Sequence, residues 1–209
     1  GMARTARGRA GTRQVPRAVR AEQMLQVAGE VFAERGFHPA SMDEIAGRAA
    51  ISKSMLYAYF GSKDGLYSAY MDRVGADLLA AMDAAVDPAL APANQVLASM
   101  TAFLGFVDEH RPGWAVLQRE LASGAGAVAA DVARVRAAIV RRMAALLASE
   151  LDATLADALA HGFVGAGELL AAWWLDHPDA TRSEMAARIT EVGWIGVGGV
   201  LEGRRWPAV

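Results

Sequence analysis

The sequence predicts an all-α protein: an N-terminal three-helix helix-turn-helix domain joined by one long helix to a larger C-terminal helical body. Three observations carry that expectation. Alanine, leucine and methionine are abundant and long β-branched runs are lacking. Apolar residues recur at helical spacing along a chain of 209 residues, which is ample for a real core. Between Ser41 and Tyr70, two short helical patterns flank a tight turn and a third begins directly after them.

Residues 1–16 come first, with Arg4, Arg7, Arg9 and Arg13 among Gly, Ala and Thr and no acid. Such a segment is expected to be a disordered basic arm. It either touches phosphate or a minor groove, as other N-terminal arms do, or trails free. Pro16 suits a helix start. Val19, Met24, Leu25, Val27, Ala28, Val31 and Phe32 then make an apolar stripe on a helix from Arg17 to Arg35, with Gly36 as a left-handed cap.

Ser41 is a helix N-cap, and Glu44 three residues on completes the pattern of a capping box. Met42, Ile45, Ala46 and Ala49 share one face of that helix. Ser52 caps the next helix, which presents Leu56 and Phe60 inward and Lys53, Ser54, Tyr57 and Tyr59 outward. Polar, basic and aromatic groups crowded onto one short exposed helix suit a reader of the DNA major groove. Ser62 opens a long helix from Lys63 to about Ala85, carrying Leu66, Tyr67, Tyr70, Met71, Val74, Leu78 and Met82 at helical spacing. Its free amides, dipole and Lys63 together would suit a phosphate.

Asp87-Pro88 to Pro92 breaks the chain. Helices are then expected from about Asn94 to Glu109, from Trp114 to Ser123-Gly124 after a turn at Arg111-Pro112-Gly113, and from Val128 to Glu150. Arg134, Arg136, Arg141 and Arg142 are spread around the last of these, which suggests salt bridges more than a second DNA face. Two glycine-bearing helices close the chain, Ala153 to Leu175 and Thr181 to Glu202. Each interior glycine costs about 1 kcal/mol relative to alanine, and close helix–helix approach is the natural compensation.

The segment ISKSMLYAYFGSKDGLYSAY resembles the turn, recognition helix and following helix of the tetracycline-repressor (TetR) family of transcriptional regulators. Ser52-Lys53, Leu56-Tyr57, Tyr59-Phe60 and Ser62-Lys63-Asp64 stand where that family's pattern has them, and Phe32-Ala33-Glu34-Arg35-Gly36-Phe37 upstream is similar too. The likeness covers about the first third of the chain. Asp43 departs from it, since an acid there would repel phosphate, and no DNA contact is assigned to that position. The resemblance implies a ligand-responsive, dimeric repressor with no cofactor. Its double-stranded operator would be read by Lys53, Ser54 and Tyr57, with Tyr59 and Lys63 on phosphates and Ser41 on the backbone. It implies domains at 17–65 for DNA and 66–209 for effector and dimer. It also implies a dimer interface from the last two helices, for which Gly162, Gly165, Leu169, Met185, Ile189, Gly193 and Gly196 are the candidates; the alternative is that these small residues pack within one subunit. An activator, or a helical binding protein or enzyme with an idle helix-turn-helix, are the rival readings.

Composition narrows the rest. Cysteine is absent, so no disulfide or thiolate metal site is possible and a reducing cytoplasm would suit the chain. No run reads as a membrane span. Up to residue 75 there are eleven Lys/Arg against seven Asp/Glu, and beyond it ten against sixteen, so a basic front joins an acidic body. His38, His110, His161 and His177 form no pair at metal-ligand spacing, and no GxSxG, Walker or dinucleotide motif occurs. An enzyme is not expected. A small hydrophobic effector is, in a pocket walled by Met100, Phe103, Phe106, Val107, Trp114, Leu117, Met143 and Trp174. Glu120 and Gln118, or His161 and Glu168, are its polar candidates, with ordinary core as the alternative for each aromatic residue.

Overall fold

A computed structural model describes residues 15–122 and 126–202, apart from the side chains of 119–122, 127, 200 and 201. The N-terminal arm, the tail Arg204-Arg205-Trp206-Pro207 and the side chain of Glu120 therefore lie outside the described residues. Among the described residues nine helices run in order: α1 (Arg17–Arg35), α2 (Met42–Arg48), α3 (Lys53–Phe60), α4 (Lys63–Ala85), α5 (Pro92–Glu109), α6 (Arg111–Ala122), α7 (Gly126–Leu147), α8 (Ala153–Leu175) and α9 (Arg182–Leu201). No strand occurs among the described residues.

Small polar residues set the helix starts. Ser41 Oγ accepts from Glu44 N at 3.1 Å, Ser52 Oγ from Met55 N at 3.1 Å and Ser62 Oγ from Gly65 N at 2.9 Å, each worth about 1 kcal/mol. Glu44 departs from expectation. Its carboxylate is spent on Arg48 (2.8 Å) and Arg35 (3.3 Å), drawn away from the cap by two guanidinium groups. A reciprocal capping box stands instead at α9, where Thr181 N donates to Glu184 Oε2 at 2.9 Å and Glu184 N to Thr181 Oγ1 at 3.2 Å. Gly36 has the positive φ expected of it (88°), but its ψ of 170° lies in a region that only glycine occupies. Arg111-Pro112-Gly113 is not a turn: α6 already begins at Arg111, because proline is tolerated in the first turn of a helix.

Two apolar cores form. The first gathers Met24, Val31, Phe32, Phe37, Ile45 and Leu56 with Leu66, Tyr67 and Met71 of α4, and also Val128 and Val132 of α7. The second gathers Leu78 and Met82 of α4 with residues of α5, α7, α8 and α9, among them Met100, Phe103, Val107, Met143, Phe163 and Trp174. Val19, placed in the first stripe by its spacing, is instead 48% exposed, on the side of α1 turned away from the core that Met24, Ala28, Val31 and Phe32 enter. α4 is shared, its first half built into one core and its second half into the other.

Salt bridges fasten α4 and α8 to α7. Arg134 reaches Asp72 (2.7 Å) and Asp131 (2.8 Å), Arg136 reaches Glu168 (2.8 Å), and Arg142 pairs with Asp83. Asp131, itself buried, accepts from Ser68 Oγ at 2.8 and 2.9 Å. α8 has the length and apolar composition of a membrane span, but Phe163, Val164, Ala171 and Trp174 turn its inner face into the second core.

Candidate nucleic-acid interface and ligand pocket

α3 is seated by Leu56, fully buried beneath it, with Met55, Tyr59 and Phe60 packed partly against the same core. Lys53 and Ser54 are exposed, and Tyr57 is 42% exposed, unusual for a large aromatic ring. Ser54 Oγ lies 3.0 Å from the capping Ser52 Oγ. Lys53 Nζ donates to Asp43 Oδ2 at 2.8 Å, and that bond raises the Lys53 pKa. The acid that departs from the familiar motif thus pairs with the leading cation of α3. Both side chains are solvated, so the pair is weakly held.

Tyr59 is half-buried, with the Arg17 guanidinium 4.3 Å above its ring. Arg20, next on the same face of α1, reaches Met55 of α3. Arg17 and Arg20 therefore extend the basic surface beside α3. Sequence reading missed them because only spacing across two helices, not local pattern, brings them there.

Lys63 corrects the expectation of a phosphate contact. Its ammonium donates to three backbone carbonyls, Phe37 O at 2.9 Å, His38 O at 3.1 Å and Ala40 O at 3.1 Å, and sits 4.6 Å from the centre of the Phe37 ring. An ammonium has three N–H donors, and all three are committed. Lys63 locks the α1–α2 loop to the start of α4.

An apolar cavity of about 100 Å³ lies at the seam of the two cores. Phe32, Phe37, Tyr67 and Val132 come from the first core, and Leu78, Met100, Phe103 and Val164 from the second. Of the expected wall residues, Met100, Phe103, Phe106, Trp114 and Leu117 line it, with Gln118 and Glu168. Val107, Met143 and Trp174 do not; they are buried solidly in the second core, and Trp174 Nε1 donates to Ala180 O at 2.7 Å. His161 is exposed beside Asp157 (3.7 Å), away from the cavity. The α4 side chains along the seam, Tyr67 to Met82, stand out in the sequence only by helical spacing, which shows which face turns inward and not whether the space there is filled. Tyr70 also lines it, and burial pushes its phenol up, keeping it protonated.

On the outside of α8 and α9, four large apolar side chains stand in the open: Leu169 (75% exposed), Trp173 (48%), Val192 (77%) and Ile195 (70%). Gly162, Gly165 and Gly196 have open space where a side chain would project, on the same faces by helical spacing. Met185 and Gly193, expected in the same interface, belong inside the subunit. Met185 is in the second core, and a methyl group on Gly193 would collide with the Phe163 ring. Ile189 packs partly against that core as well.

Comparison with known proteins agrees with this architecture. Residues 24–70 match the family described as bacterial regulatory proteins, tetR family, and residues 92–196 match the tetracyclin repressor-like C-terminal domain. The chain is 31% identical over 200 residues to the HTH-type transcriptional activator FasR of Mycolicibacterium smegmatis, covering 94% of this chain and 91% of that one. A TetR-like transcriptional regulator from Rhodococcus sp. RHA1 is 39% identical and superposes with a TM-score of 0.70 over 89% of this chain and all of that one. A tetR-family regulator from Streptomyces coelicolor is 29% identical, with a TM-score of 0.72 over 89% of this chain and 84% of that one.

Proposed function

Because the chain belongs to the TetR family of transcriptional regulators, and is a ligand-responsive DNA-binding protein on that ground, we propose how its own residues divide the work. Two copies pair through the open apolar faces of α8 and α9. Each presents α3 to one half-site of a double-stranded operator. Tyr57, Lys53 and Ser54 read base edges, while Tyr59, Arg17 and the exposed start of α2 at Ser41 face the backbone. A single helix-turn-helix contacts too few bases for useful specificity, which is why the pairing matters. The place of action is the cytoplasm, with the DNA.

The observation that carries the reading is the position of the cavity. Its walls belong to both cores, and α4 runs along it from the DNA-reading head into the body. A small apolar molecule seated there favours a body conformation in which α4 tilts, and the two heads no longer match half-sites about 34–36 Å apart. The molecule must bind the two states with different affinities, since equal affinity shifts nothing. Repression relieved by the effector is the family's usual output. The likeness to FasR, named an activator, supports activation as the second reading, with the same DNA contacts and an operator placed upstream of the promoter. Neither reading involves turnover of the ligand.

A salt-titrated binding assay on promoter fragments from the source genome tests the DNA claim. Affinity for one fragment should exceed that for random duplex and fall as salt rises. Absence of any sequence preference at every ionic strength would end the proposal.

A further inference from the structure

Trp114 Nε1 is buried in the cavity wall with no hydrogen-bond partner. The other such side-chain atom among the described residues, Thr190 Oγ1, belongs to a residue outside the lining. The indole is held in place, edge-on to Phe103 with ring centres 5.7 Å apart. An indole N–H can donate and cannot accept, so its missing partner is an acceptor atom. The full charges of the same wall are already matched, Arg136 Nε donating to Glu168 at 2.8 and 3.0 Å. A carboxylate entering here would lose its hydration beside an acid that already holds the guanidinium. The walls reach from Phe32 in one core to Val164 in the other, which suits an extended apolar body.

We propose that Trp114 selects the effector by donating its indole hydrogen to an uncharged oxygen acceptor, such as an ester or ketone carbonyl, carried on an otherwise apolar chain. This deepens the reading of the seam cavity as the effector site and rests on it.

Three probes of matched length separate the possibilities: methyl decanoate, decanoate and dodecane delivered from cyclodextrin, titrated into the full chain by calorimetry. Methyl decanoate should bind roughly three- to ten-fold more tightly than dodecane, the range one net hydrogen bond provides, and more tightly than decanoate. In Trp114→Phe, which keeps an aromatic ring, the ester and the alkane should bind alike. The indole resonance that Trp114→Phe removes should move downfield in the wild type when the ester is added, a readout that does not require the variant to fold well. Equal binding of ester and alkane by the wild type, an unmoved indole resonance, preference for decanoate, or binding of none of the three would each overturn the proposal. Operator binding by the unliganded wild type is measured alongside. Its absence would sink the regulator reading, while the three affinities would still decide the role of Trp114.

Discussion

Replacing Lys63 with methionine separates two roles that one cation at a helix start can play. The ammonium makes three hydrogen bonds to the carbonyls of Phe37, His38 and Ala40, all between 2.9 and 3.1 Å. At about 1.5 kcal/mol each, the low end for a charged donor because these carbonyls are partly solvated, they contribute roughly 4–5 kcal/mol. Ordering a lysine costs about 2 kcal/mol in lost rotamers, so Lys63→Met should destabilise the fold by about 2–3 kcal/mol. In a chain of this size that lowers Tm by roughly 5–10 °C. Methionine retains the apolar stem over Phe37, so the loss isolates the ammonium. The assay pairs thermal unfolding with the salt dependence of DNA binding, measured well below Tm. A phosphate contact in each subunit would contribute about 1.8 to the slope of log affinity against log salt for a dimer. The expected result is a lower Tm with an unchanged slope. An unchanged Tm with a slope shallower by about that amount would refute the clamp and restore the phosphate role.

Four further outcomes follow from named contacts. Tyr57→Ala should weaken binding to the preferred operator more than to random duplex, as seen by competition in fluorescence anisotropy; equal losses would move Tyr57 from base reading to positioning. Asp43→Asn frees the Lys53 ammonium and removes a charge that repels phosphate, so affinity for any duplex should rise a few-fold at low salt and converge with wild type at high salt. Ile195→Glu with Leu169→Glu places acids on the open faces of α8 and α9, and light scattering should then report monomers with the helical circular dichroism retained. Ala50, at φ 52° in the turn between α2 and α3, is the non-glycine residue with positive φ among those described. Ala50→Gly should stabilise the fold by about 0.5–1 kcal/mol in urea unfolding, and a loss of stability would contradict the strain assigned there.

What the sequence made legible was local. Ser41, Ser52 and Ser62 each cap the helix they precede, because a cap needs only the next three residues. Leu56 is buried and Tyr57 exposed because neighbours in a helix point about 100° apart. The misses are non-local. The partners of Lys63 lie 23 to 26 residues upstream, where a dipole argument confined to α4 does not look. Gly162 and Gly193 are the same residue type on adjacent helices, yet one faces open space and the other the Phe163 ring. Met143 and Trp174 share the composition of Met100 and Trp114, but only the second pair borders the cavity. Sidedness at that resolution comes from the packing of α7 and α8 against α4 and α5, which no single helix encodes.

The chain contains no cysteine, so one introduced at the exposed Ala58 of α3 gives each copy a single spin label beside its reading surface. Pulsed dipolar spectroscopy on operator DNA should then return one defined inter-label distance on the order of a DNA turn, about 34–36 Å between half-sites before the label arms are added. Methyl decanoate should displace or broaden it. A sample that binds operator yet shows no dipolar coupling would mean that each reading head acts alone, and the paired, cavity-controlled regulator described above would be wrong.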